Sequence, residues 1–214
     1  MKYIPLLLVT ILATTAFAAT FEETLELAEK GDASAQSNLG IMYDNGRGVP
    51  ENDGEAVKWY RKAADQGYAK AQTNLGVMYA SGTGVPENDV KAVKWYRKAA
   101  DQGYAPAQFN LGFMYDSGEG VPENDAVAVK WYRKAADQGY APAQFNLGIS
   151  YGRGAGVPTN FIRAYSWWSM AKTNGDKQAA EGIDTLKPML TPQQLAEGQA
   201  LAIKCYESNY KDCD

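Results

Sequence analysis

The sequence predicts an all-α chain, a right-handed α-solenoid of helix-turn-helix repeats with a period of 36 residues. Three observations predict it. Leu39, Leu75, Leu111 and Leu147 recur at that interval, as do Trp59, Trp95, Trp131 and Trp167, and Gly67, Gly103, Gly139 and Gly175. Within each period apolar residues fall at helical spacing twice, once around Leu39 and once around Trp59. Between the two runs lies Gly46-Arg47-Gly48-Val49-Pro50 or its counterpart, whose glycines admit positive φ and whose proline cannot continue a helix.

Residues 1–18 read as a secretory signal peptide. Lys2 is followed by an apolar, small-residue run, and Ala16-Phe17-Ala18 fits a small-x-small cleavage site. The run is short for a membrane span, and no later segment is apolar enough for one. The mature chain is therefore expected to be periplasmic or secreted, with no membrane insertion after cleavage. Cleavage removes Lys2 and no acid, leaving 20 basic against 25 acidic residues. A mildly acidic surface disfavours nucleic acid and anionic membranes as main partners.

Residues 19–32 read as an N-terminal capping helix, equivalent to the second half of a repeat. Four repeats then occupy residues 33–175. In the first, helix one covers Ala33 to Tyr43 and presents Ala35, Leu39 and Met42 on one face. Pro106 and Pro142 open the equivalent helices of copies three and four, where a missing N–H costs no hydrogen bond. Asn52 or Asp53 caps helix two, whose apolar face is Ala56, Trp59, Tyr60 and Ala63.

Gly40, Gly76, Gly112 and Gly148 stand in mid-helix, each at a cost of about 1 kcal/mol relative to alanine. Indole and phenol rings are expected to fill the notches they leave. Burying one ring contributes about 4–6 kcal/mol gross, which outweighs that cost. On this reading Trp95→Ala removes about 3–5 kcal/mol. Residues 176–214 read as a degenerate repeat and a C-terminal capping helix, with Thr191 as N-cap and Pro192 at the first helical position. Cys205 and Cys213, the only cysteines, are expected to pair in an oxidising compartment and close a small tail loop.

The recurring pattern Ala35…Leu39-Gly40…Tyr43…Gly46-x-Gly48-Val49…Ala56…Trp59-Tyr60…Ala63-Ala64…Gly67 resembles the Sel-one-like repeat family, relatives of the tetratricopeptide repeat. Copies two and three keep it whole. Copy four departs at Trp168, in place of tyrosine, and at Lys172, in place of the second alanine. The resemblance implies a scaffold for protein–protein contacts; exported bacterial members are similar to envelope regulators and surface-interaction factors. It also implies two alternatives. One is a cell-wall or β-lactam-related hydrolase, as in a cysteine-rich branch that carries a cysteine pair per repeat, which this chain lacks. The other is a subunit that assembles end to end.

Four positions of helix one vary while the framework repeats. They are Ser34/Lys70/Pro106/Pro142, Ser37/Thr73/Phe109/Phe145, Ile41/Val77/Phe113/Ile149 and Asp44/Ala80/Asp116/Gly152. Their spacing of three, four and three predicts one stripe, read as the partner-facing surface on the concave side. Its predicted contact residues are Ser37, Lys70, Thr73, Val77, Phe109, Phe113, Phe145 and Ile149, and its predicted partner is a protein or peptide met by a monomeric chain. The recurring Lys58 to Lys62 stretch, KWYRK, reads as a charge-balanced outer face, and Gln36 and its equivalents as hydrogen-bonding braces of the inter-helix turn. With no histidine, no cysteine outside the tail, no phosphate-cradling loop and no metal-ligand cluster, the sequence offers no catalytic or cofactor site.

Overall fold

The computed structural model describes residues 21–213, and every regular element among them is helical. The signal-peptide reading falls on residues outside that range. The chain divides into two compact units, 1–99 and 100–214. The first holds α1 (21–29), α2 (Ala33–Asp44), α3 (Asp53–Asp65), α4 (Ala69–Ser81) and the greater part of α5 (Asp89–Asp101). The second holds α6 (Ala105–Ser117), α7 (Asp125–Ala136), α8 (Ala141–Arg153), α9 (Phe161–Thr173), α10 (Ala179–Leu186), a 3-10 turn (Lys187–Met189) and α11 (Pro192–Glu207). Helices one of successive copies start at Ala33, Ala69, Ala105 and Ala141, in the expected 36-residue register of a solenoid.

The caps follow the chemistry of the sequence. Asn52, not Asp53, caps α3, its Oδ1 accepting from the Glu55 N–H at 3.0 Å. Asn124 and Asn160 cap α7 and α9 in the same way. At the start of α11 Thr191 and Gln194 form a reciprocal capping box. The two turn glycines have separate tasks. Gly82 is the left-handed C-cap of α4, at φ +70°. Gly84, at φ +67°, lies against the preceding copy: a Cβ there would stand 2.5 Å from the Asp53 carbonyl oxygen.

Ring-in-notch packing closes each hairpin. A Cβ on Gly40, Gly76 or Gly112 would fall 2.5, 2.6 or 2.7 Å from the ring of Tyr60, Tyr96 or Tyr132 in the same copy. In copy four Trp168 occupies the notch of Gly148, and the larger indole takes a second notch at Gly182 on α10. Its Nε1 donates to the Phe145 carbonyl at 3.0 Å. The notch rings are thus phenols in three copies. The indoles of Trp59, Trp95 and Trp131 lie elsewhere, each with the ammonium of Lys62, Lys98 or Lys134 3.6–4.0 Å above it. This corrects the expectation for Trp95, which is partly exposed, whereas Tyr96 is buried. The large truncation penalty belongs to the tyrosine.

Buried glutamines brace the turns. Gln36, Gln72, Gln108 and Gln144 donate from Nε2 to the carbonyls of Ala28, Ala64, Ala100 and Ala136 near the C-termini of the preceding helices, which also accept from the N–H groups of Gly31, Gly67, Gly103 and Gly139. Their Oε1 atoms accept in turn, Gln36 from Gln66, Gln108 from Gln138 and Gln144 from Asn174. Gln144→Ala removes the acceptor of the Asn174 amide and one of the two donors to the Ala136 carbonyl, which keeps the Gly139 N–H. It is expected to cost about 1–3 kcal/mol, read as a lower denaturant midpoint with an unchanged slope. The same network reaches the tail. Tyr210 donates from its hydroxyl to Asn174 Oδ1 at 2.9 Å and lays its ring over Gly139, while the Cys205–Cys213 disulfide closes the loop that carries it.

Candidate partner-binding site

At about 100° per residue, the four variable positions do not form one line. Positions 34 and 41 fall within about 20° of each other, as do 37 and 44, but the centres of the two pairs are about 60° apart. The structure separates them accordingly.

The 37/44 edge turns toward the notch ring of helix two. Ser37 is 0% exposed and Thr73 5% exposed, with its hydroxyl bonded to the Ala69 carbonyl. Phe109 packs 5.8 Å from Tyr132 and 5.6 Å from Tyr140, and Phe145 packs 6.4 Å from Trp168. Ser37 and Thr73 are therefore buried packing residues, while Phe109 and Phe145 pack against these rings and remain partly exposed. At the last of the four positions, copies one and three place an aspartate by the ring, copy two Ala80 and copy four Gly152. The Tyr60 hydroxyl donates to Asp44 at 3.2 Å and the Tyr132 hydroxyl to Asp116 at 3.4 Å. Where the ring is the indole of Trp168, which has no hydroxyl, the equivalent residue is Gly152, where an added Cβ would come to 3.8 Å from the indole.

Burial, and then the adjacent carboxylates Asp44 and Asp116, push the phenols of Tyr60 and Tyr132 above their ordinary range. The Asp116 residue is exposed as a whole, but its carboxyl is partly covered. That cover, and then the charge of Asp125, raise its pKa. The folded chain therefore holds this proton more tightly than the unfolded chain does. The stability it contributes is complete below the ordinary aspartate range and is lost as pH rises through the raised value. Asp116→Asn keeps a carbonyl acceptor for Tyr132 without the charge. It is expected to melt slightly above the wild type at pH 7, with the difference gone by about pH 3. A wild type more stable than the variant at pH 7 would contradict this.

The 34/41 edge faces solvent. In the first unit Val77 on α4 is 43% exposed, and Lys70, in the first turn of the same helix, is partly exposed. In the second unit Phe113 on α6 is 45% exposed and Ile149 on α8 partly so. With the partly exposed rings of Phe109 and Phe145, six of the eight predicted contact residues reach the surface.

Beside Ile149 lies a hollow of about 280 Å³ that the sequence did not reveal. Trp168, Phe161 and Leu186 line its apolar part, with the side chain of Met189 58% exposed and Arg153 as its cation. It exists because Gly152 stands where copies one and three carry an aspartate. The two edits, Tyr to Trp168 and Asp to Gly152, were visible in the sequence; that they create one space was not, because Leu186 and Met189 come from the irregular segment after the repeats. Among the described residues, no group of three or more histidine, cysteine or acidic side chains is placed to hold a metal ion. No helix among them is long and apolar enough to cross a membrane.

Comparison with known proteins agrees with this architecture. The Sel1 repeat model matches four times, at residues 33–68, 69–104, 105–140 and 141–176. A protective antigen of uropathogenic Escherichia coli that displays this repeat fold is 37% identical, with a TM-score of 0.83 over 89% of this chain. The match spans 42% of the antigen's own length. A Sel1 repeat protein from Oxalobacter formigenes is 33% identical, with a TM-score of 0.76, over 95% of this chain and 80% of that one. An immunity protein from Pseudomonas aeruginosa is 25% identical, with a TM-score of 0.54, over 92% of this chain and 75% of that one. Comparison of the sequence with curated proteins gives no match. The four repeats with their glycine notches, and the relatives that share them, place this chain in the Sel1 repeat family.

Proposed function

We propose that this chain is an exported scaffold that binds a protein or peptide through the solvent-facing edge of its first helices. Proteins of the Sel1 repeat family generally mediate protein–protein contacts and are generally non-catalytic. The observation that carries the reading here is the hollow at Ile149 and Trp168, with the exposed ring of Phe113 on the same unit. An apolar side chain of a partner would seat against Trp168, Leu186 and Met189, and Arg153 would meet an acid beside it. Buried apolar anchors of this kind carry most of the energy of an interface. Export rests on the leader-like residues 1–18 and on the disulfide, a bond that persists in oxidising compartments.

Phe113→Ser combined with Met189→Ser tests the reading, because both side chains are exposed and neither serves the core. Pull-down from envelope extract is expected to lose the captured protein by at least about tenfold, with the melting temperature unchanged. Undiminished capture by the double variant would refute it. End-to-end assembly is favoured by a different feature, the hollow of about 440 Å³ between α9 and α11, where Ile203 and Tyr206 are exposed. Light scattering that grows with concentration and is abolished by Ile203→Ser would support that reading instead.

A further inference from the structure

The outer face of helix two is not the same in every copy. On α3 the cations Lys58, Arg61 and Lys62 are balanced by Asp53, Glu55 and Asp65, and Lys58 is ion-paired to Glu55 at 2.5 Å. On α7 the place of Glu55 is taken by Val127, three residues before Lys130. Over the same positions α7 sets Lys130, Arg133 and Lys134 against Asp125 and Asp137, one acid fewer than α3, with Asp137 4.0 Å from Arg133. The next outer helix, α9, carries Arg163 and Lys172 and no acid at all. A net positive patch thus stands on a chain whose net charge is −4.

The patch is hollowed. A depression of about 500 Å³ on α7 is lined by Lys130, Arg133 and Lys134 and by the apolar surfaces of Val127, Val129 and Trp131, and it is closed on one side by Tyr151 of α8. No carboxylate lines it, whereas Glu55 and Asp65 line the smaller counterpart on α3. Arg163 lies 3.4 Å from the Tyr151 hydroxyl and adds its charge at that side.

From this charge complementarity we infer that the α7 depression is a second binding site, for an acidic peptide segment that also carries aliphatic side chains. The cations match carboxylates, the exposed Lys130 and Lys134 by direct contact and Arg133, stacked over Trp167, by its charge. Val127 and Val129 match aliphatic groups, which an acidic glycan lacks. The Lys134 ammonium covers the Trp131 ring at 4.0 Å, on the surface against which a sugar would stack. The site lies on helix two and uses none of the first-helix residues, so it stands or falls separately from the function proposed above.

The test titrates the full chain with a labelled peptide that alternates glutamate with leucine, at low and at physiological salt. A polyglutamate peptide of equal length and hyaluronate oligosaccharides are the comparison probes. The alternating peptide is expected to bind tightest, and more weakly as salt rises. Val127→Glu, which restores the acid of copy one, is expected to weaken it about tenfold, and Lys130→Glu with Lys134→Glu at least as much. Lys58→Glu with Lys62→Glu on α3 changes binding by less than about twofold. Phe113→Ser with Met189→Ser leaves it unchanged. Helical circular dichroism and melting temperature confirm that each variant is folded. Equal binding of polyglutamate, tighter binding of hyaluronate, or indifference to Val127→Glu would overturn the proposal, as would an equal loss from the α3 variants.

Discussion

Replacing Tyr132 by alanine is expected to lower stability by about 3–5 kcal/mol, and replacing Gly112 by alanine by about 1–3 kcal/mol. The first change empties the notch of a ring that is 1% exposed. The second places a methyl group 2.7 Å from that ring, which has nowhere to retreat in a close-packed interior. The two penalties are coupled. In the background Tyr132→Leu the added methyl meets a smaller, flexible side chain, so Gly112→Ala is expected to cost less there than in the wild type. Urea unfolding of the four-member mutant cycle measures the coupling. A coupling of zero would mean that ring and glycine are not a lock and its notch.

Gly84→Ala is expected to cost about 2–4 kcal/mol, and Gly67→Ala only about 1 kcal/mol, although both glycines have positive φ. Gly67 has nothing within reach of an added Cβ, so alanine there suffers only from its backbone conformation. At Gly84 the methyl group would meet the peptide of Asp53, at 2.5 Å from its oxygen and 2.6 Å from its carbon. A side chain can rotate away from such a contact; a peptide group at the start of a helix cannot. Thermal unfolding of the two variants separates the effects, and equal losses would show that the close approach to the preceding copy carries no weight.

Much of the fold was readable in the chain because the 36-residue register, the capping asparagines and the turn glycines are local signals repeated several times. The choice between Trp95 and Tyr96 was not readable. Adjacent aromatic residues lie about 100° apart on a helix, and only the position of the facing glycine decides which of them enters. The division of the variable stripe into two edges was unreadable for the same kind of reason. A spacing of three, four and three spans an arc wide enough to hold two environments, so Ser37 and Phe109 entered the packing while Val77 and Phe113 stayed outside. The hollow at Trp168 required a third element, α10 with its 3-10 turn, whose sequence has lost the repeat pattern.

The tyrosine locks each join a ring and a glycine of one and the same copy, Tyr60 with Gly40 and Tyr132 with Gly112. The eight residues from Gly103, GYAPAQFN, are written again from Gly139. Excision of residues 105–140 would therefore rejoin Tyr104 to Ala141 in an unaltered phrase and leave no remaining lock divided. Unequal crossing-over within such a gene can lengthen or shorten the product by whole units, so the number of copies is free to drift on an evolutionary timescale while the hairpin itself stays fixed.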